Sequence, residues 1–179
     1  MSLRWADPAD SISRMAYRLR ETRGADWSSY RRLRLAALRD PAAPVAFFEP
    51  VEQALRRTSG EWTRHATSNP VRTTFVVEGA DEDWAGMATA LVTDDGHVHI
   101  VGVYVRPEQR GTGLAERLMR AAIDWSGARE VRLDVHEDNE RAARFYRRLG
   151  FLPTGRSTPD PRDPTLRTVE LSLAVQQSG

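Results

Sequence analysis

The segment VGVYVRPEQRGTGLAERLMRAAIDW, Val101 to Trp125, reads as a strand, a glycine turn and a helix in that order. The strand-like run ends at Arg106-Pro107. Gly111 and Gly113 then flank Thr112, and Leu114, Leu118, Ala122 and Trp125 repeat at a helical period on one face. The first-turn N–H groups of a helix have no intrahelical partners, and glycines let a ligand approach that backbone closely. Such a junction suits an anion. The helix dipole contributes about 0.3–1 kcal/mol for an exposed charge, against roughly 1.5–3 kcal/mol for each hydrogen bond to a charged group. The row of N–H groups therefore dominates the expected hold on a pyrophosphate, and Arg110 is expected to add a charge-assisted bond. Taken alone, GTG is also what a plain helix start looks like.

Working outward, VRTTFVVEG (71–79), WAGMATALVT (84–93) and HVHIVGVYV (97–105) form a three-strand meander, the last two joined by a tight DDGH hairpin. On the third of these strands the period of two puts His97, His99, Val101 and Val103 on one face. Upstream, RMAYRLRET (14–22) alternates as a strand. Asp26 is placed as the N-cap of a helix carrying Trp27, Tyr30, Leu33, Ala37 and Leu38 on its apolar stripe. Arg31 and Arg32 fall outside that stripe, and Arg34 interrupts it with its head expected in water. Shorter helical pieces follow at 50–57 and 60–66. Downstream come the strand EVRLDVHE (130–137), a helix from Asp138 or Asn139 closed by Gly150, a strand starting at FLPTG, a proline-rich loop (157–164) and a last strand, 166–175. Residues 1–13 read as a loose lead-in and 14–179 as one domain. The element order implies a mixed α/β (α+β) layer structure.

Composition excludes several classes. Of 179 residues, 28% are charged and 40% hydrophobic, with formal net charge +1, so no global field draws nucleic acid or an anionic membrane. No apolar run nears the roughly 20 residues that span a bilayer, and the N-terminus lacks a signal-like apolar core; the expectation is a cytoplasmic chain. Without cysteine there are no disulfides, thiolate metal sites or cysteine nucleophiles. All 26 basic residues counted with lysine are arginine, which rules out a lysine base and a phosphate loop of the GxxxxGK[ST] kind. His97 and His99 have no evident third ligand, so no metal is expected. A dinucleotide turn matches at Gly111 and Gly113, with Asp134 about twenty residues on, but places Glu116 where its third glycine belongs.

Two motifs in sequence carry a resemblance. Arg110-Gly111-Thr112-Gly113-Leu114-Ala115 matches Q/R-x-x-G-x-G/A, and Asn139, Ala142 and Tyr146, followed by Leu149-Gly150-Phe151, match N-x-x-A-x-x-x-Y. The chain resembles the GNAT superfamily of N-acetyltransferases from about His97 to Gly155. The resemblance implies a mostly antiparallel central sheet flanked by helices, with a splay between the fourth and fifth strands that holds acetyl-CoA. Main-chain groups of Val103, Tyr104 and Val105 would hold the pantetheine arm. Those of Arg110, Gly111, Thr112, Gly113, Leu114 and Ala115 would hold the pyrophosphate, and Asn139 would contact the arm. Tyr146 would protonate the departing thiolate. The first helices and the loop after them would shape the acceptor site, bringing in Phe47, Phe48 and Glu49, while Trp27 and Tyr30 are read as core.

The chemistry fits these residue types. A tyrosine of pKa near 10 protonating a thiolate of pKa about 8.5 runs uphill by only about 2 kcal/mol. The fourth strand has no Glu to act as base, so His99 is the candidate, because an unperturbed histidine side chain titrates near ~6.5; Glu49, Asp94 and Asp95 are poorer ones. The acceptor is a small-molecule or peptide amine, left open among polyamine, antibiotic, amino acid and protein N-terminus. Dimers are common in the family. The second reading is a non-catalytic acyl-CoA-binding sensor or scaffold; the third is a nicotinamide-dinucleotide oxidoreductase.

Overall fold

The computed structural model describes residues 17–79, 83–127 and 129–174. One seven-stranded sheet has the order β1-β2-β3-β4-β5-β7-β6. Its strands are β1 (Arg18–Glu21), β2 (Arg72–Glu78), β3 (Trp84–Val92), β4 (Val98–Val105), β5 (Val131–His136), β6 (Leu152–Pro159) and β7 (Arg167–Leu173). All neighbouring pairs are antiparallel except β4 and β5. The predicted first strand begins at Arg14, and residues 14–16, like the lead-in 1–13, lie outside the described residues.

Helices cover both faces. On one side α1 (Trp27–Leu38), α2 (Ala43–Ala46), α3 (Val51–Leu55) and α4 (Ser59–Ala66) pack Tyr30, Leu33, Trp62 and Ala66 against Val76, Met87 and Tyr104. On the other side α5 (Leu114–Trp125) buries Leu114, Leu118, Met119 and Ala122 against Val77, Ala88, Val98 and Leu133, with α6 (Glu140–Arg148) beside it. This double cover is why β3 is buried without a break from Trp84 to Ala90. Pro153 sits in β6, at the sheet edge, where a missing N–H is tolerated.

Two local expectations are corrected. Asp26 occupies the N-cap position of α1, but its carboxylate makes no cap bond there. It accepts from Arg20 at 2.8 and 2.9 Å and from the Arg23 N–H at 2.7 Å. The strict alternation along β4 also fails. Gly102 has φ +65°, and the register with β3 jumps between Met87↔Tyr104 and Thr89↔Val101. This is a bulge, two residues on β4 opposing one on β3. Before it Val98 and Ile100 face the α5 core; after it Val103 and Val105 do, and Tyr104 turns to the α1 side. Val103 is therefore on the opposite face from His99.

Candidate active site

β4 and β5 pair only at Val98↔Val131 and His99↔Arg132. Beyond His99 they part, and the gap opens two cavities. The larger, about 570 Å³, lies between the β4 end, the glycine turn and α6. Val103, Tyr104, Val105, Arg110, Gly111, Gly113, Leu114, Ala115, Asn139 and Tyr146 all line it. The smaller, about 410 Å³, lies between the α2–α3 segment, the β4 bulge and β5, lined by Arg34, Phe47, Phe48, Glu49, His99 and Asp134 among others. Ala46, Phe47, Val103, Asn139, Ala142 and Tyr146 belong to both.

The turn is open. Gly111 and Gly113 have φ +79° and +83°, and a Cβ added at either meets nothing within 4 Å. Gly113 is the N-cap of α5 and offers no side-chain cap. The N–H groups of Gly111, Thr112 and Gly113 make no main-chain hydrogen bond among the described residues. The Thr112 hydroxyl donates to Gln109 O at 2.5 Å, which folds the turn.

Arg110 departs from expectation. Its N–H donates to Pro107 O at 3.2 Å. Its Nε donates to Val105 O at 3.1 Å and its Nη2 to the buried Asp40 at 2.5 Å. Main-chain N–H and two guanidinium nitrogens are thus engaged inside the protein, and Arg110 ties the turn to the end of α1 rather than reaching outward. Positive charge comes instead from α6. Arg141, Arg144 and Arg148 line the cavity, and with Arg110 they outnumber its acids, Asp40 and Glu116. The sequence signal was present: spacings of three and four put those arginines on one helical face.

Asn139 caps α6, its Oδ1 accepting from Ala142 N at 3.2 Å, while its Nδ2 donates to Val45 O at 3.4 Å. Tyr146 packs edge-on to Phe151, ring centroids 6.1 Å apart, and its hydroxyl makes no hydrogen bond among the described residues. Burial pushes its pKa up to about 12, so the phenol stays neutral across physiological pH. His99 Nε2 lies 3.2 Å from Asp134 Oδ2. Asp134, weighed above as a ribose-binding acid, thus lines the smaller cavity, far from that role. Tyr30 is core, and Trp27 packs against that core. Asp94 and Asp95 sit in the β3–β4 hairpin and line neither cavity. No group of three or more His, Asp or Glu among the described residues is arranged to hold a metal ion, and none of their helices is long and apolar enough to cross a membrane.

The model of the GNAT acetyltransferase family matches residues 28–151. The chain belongs to that family. Among curated GNAT relatives, an uncharacterized N-acetyltransferase of Mycobacterium tuberculosis is 40% identical over 77 residues, 41% of this chain and 49% of its own length. Spermidine N(1)-acetyltransferase of Escherichia coli is 31% identical over 116 residues, 61% of this chain and 60% of that one. The match thus spans about half the length of the first of these. The crystal structure of a GNAT acetyltransferase from Streptococcus pneumoniae superposes with TM-score 0.72 over 89% of this chain and 99% of its own, at 16% identity. That likeness is one of fold.

Proposed function

We propose that this GNAT chain transfers an acetyl group from acetyl-CoA directly to an amine. The observation that carries the reading is the meeting of two cavities at Ala46, Phe47, Val103, Asn139, Ala142 and Tyr146. One has a basic wall and an open glycine turn, fit for a polyanionic nucleotide. The other has a histidine–carboxylate pair, fit to receive a proton. With no cysteine in the chain to carry an acyl group, both substrates are bound together.

The residues then divide the work. Free N–H groups of Gly111, Thr112 and Gly113 and the first turn of α5 hold the pyrophosphate. The unpaired edge of β4 at Val103 to Val105 lines up the pantetheine arm and offers main-chain donors to the thioester oxygen as charge develops. His99, oriented by Asp134, takes the proton of the attacking amine as the new C–N bond forms and the C–S bond breaks. Tyr146 donates its hydroxyl to the leaving sulfur. Burial raises its pKa to about 12, above that of a free thiol, so complete transfer to the thiolate is uphill. Tyr146 therefore acts mainly as a hydrogen-bond donor, handing over its proton only as the thiolate is itself desolvated.

Calorimetry with acetyl-CoA, followed by a thiol-release screen across diverse amines, tests the reading. Binding in the micromolar range and amine-dependent thiol release are expected. Absence of acetyl-CoA binding by the folded protein would overturn it, and binding without release for any amine would favour a sensor or scaffold.

A further inference from the structure

The smaller cavity has walls of opposite charge. On one side Arg34 lines it and shares a single carboxylate, Glu49, with Arg57, which does not itself line the cavity. The three side chains are only 15%, 20% and 13% exposed. Arg34 Nε and Nη2 donate to Glu49 Oε2 at 3.2 and 3.0 Å, and its guanidinium lies 4.8 Å over the Phe47 ring. Its Nη1 makes no hydrogen bond among the described residues. It faces the β4 bulge, where a Cβ built on Gly102 would stand 3.6 Å away. No second carboxylate of the described residues comes within ion-pair reach of either arginine. The group therefore carries an uncompensated +1 in a largely desolvated wall, which is costly until an anion pairs with it. His65, nearby, is held below the usual histidine value, first by burial and then by Arg57 and Arg72; Glu49 alone opposes them appreciably. Across the cavity stands Asp134, beside His99.

We propose that the acceptor is a small amino carboxylate, its carboxylate docked on Arg34 Nη1 and its amine delivered to the His99–Asp134 side. This rests on the acetyl-transfer reading above and narrows it. A cavity of about 410 Å³ suits a small molecule.

The test uses matched sets: an amino carboxylate, its amide and its decarboxylated amine, built on leucine, phenylalanine and 4-aminobutyrate, with spermidine alongside. Acetyl-CoA binding is measured first; its failure removes the transfer reading itself. Thiol release at saturating acetyl-CoA is then expected to favour the carboxylate roughly ten- to hundred-fold in kcat/KM, the size of a hydrogen bond to a charged group. Arg34→Gln should erase that preference and leave acetyl-CoA affinity unchanged. Arg57→Gln, which keeps Arg34 but cancels the excess charge, should reduce it several-fold, and it carries the test if Arg34→Gln does not fold. Where no amine turns over, calorimetry on the CoA-saturated protein decides: carboxylate binding lost in the variant supports the proposal, and no carboxylate binding overturns it. Preference for the amide, the amine or spermidine, or an equal loss with all three in Arg34→Gln, also overturns it while acetyl transfer stands.

Discussion

His99 Nε2 lies 3.2 Å from Asp134 Oδ2, joining β4 to β5 just where the two strands stop pairing. The contact sets a carboxylate beside a sheet histidine and makes that histidine a candidate base. Truncating a general base lowers turnover by about 10²–10⁴-fold. His99→Gln is therefore expected to reduce kcat by at least about 10²-fold with acetyl-CoA affinity unchanged. Asp134→Asn, which leaves the imidazole but loosens it, should cost less. Equal activity of His99→Gln and wild type would remove His99 from the mechanism.

Tyr146 gives a second, separable prediction. Burial raises its pKa to about 12, so the neutral donor persists to high pH and is lost only as pH climbs through that value. Tyr146→Phe should lower kcat by about 10²-fold or more while the Kd of acetyl-CoA stays within a few-fold. Wild type and variant should give pH–rate profiles of the same shape from pH 8 to 10, because Tyr146 does not ionise in that window. A difference in shape there would mean a much lower phenol pKa than burial allows.

What was legible in the chain follows from how local each signal is. The meander, the glycine turn and the cap at Asn139 are written in a few adjacent residues, and they emerged where expected. The orientation of Val103 was not, because period-two reasoning has no term for a bulge, and Gly102 looks like any strand glycine until its φ of +65° is seen. The role of Arg110 was misread for a longer-range reason. Its partner Asp40 lies seventy positions earlier, and nothing in RGTGLA announces it. Arg34 was likewise expected in water, since Glu49 comes from a different segment and the sheet alone brings Gly102 beneath it.

Arg110 and Asp40 lead to a stability prediction. Removing one partner of a buried ion pair strands the other, at a cost of about 3–5 kcal/mol. With Asp40 buried and Arg110 part-exposed, Arg110→Ala should fall toward the lower end of that range. The loss in denaturant midpoint should exceed any loss of acetyl-CoA affinity, and Asp40→Asn combined with Arg110→Gln should recover part of it. A variant of wild-type stability with weakened cofactor binding would restore Arg110 to the phosphate site.

Asp160 supplies a pH dependence. It is buried with His136, whose Nε2 lies 3.4 Å away, and Arg162 donates to it from Nε, Nη2 and its main-chain N–H. Those Arg162 contacts hold its carboxyl far below the usual carboxylate range. A depressed folded pKa stabilises fully above the unfolded value of about 3.9, and that gain is lost as pH falls through the still lower folded one. Asp160→Asn should therefore lower Tm by a constant amount from pH 5 to 8. The gap to wild type should narrow only below about pH 4. A gap that already closes between pH 7 and 5 would remove Asp160 as the titrating group.

Gly113 tests the cradle itself. Its φ of +83° matches that of Gly96 in the β3–β4 hairpin, and neither has an atom within 4 Å of an added Cβ. Alanine at either position costs about 1–2 kcal/mol of backbone strain, so Gly96→Ala is a control with the same penalty and no ligand nearby. Both variants should lose similar stability in chemical denaturation. Only Gly113→Ala puts a methyl group beside the N–H groups that are to meet the pyrophosphate, so only it should weaken acetyl-CoA binding, by about ten-fold or more for the loss of one charged hydrogen bond. Equal acetyl-CoA affinity in the two variants would mean that the turn between Arg110 and Ala115 starts a helix and holds nothing.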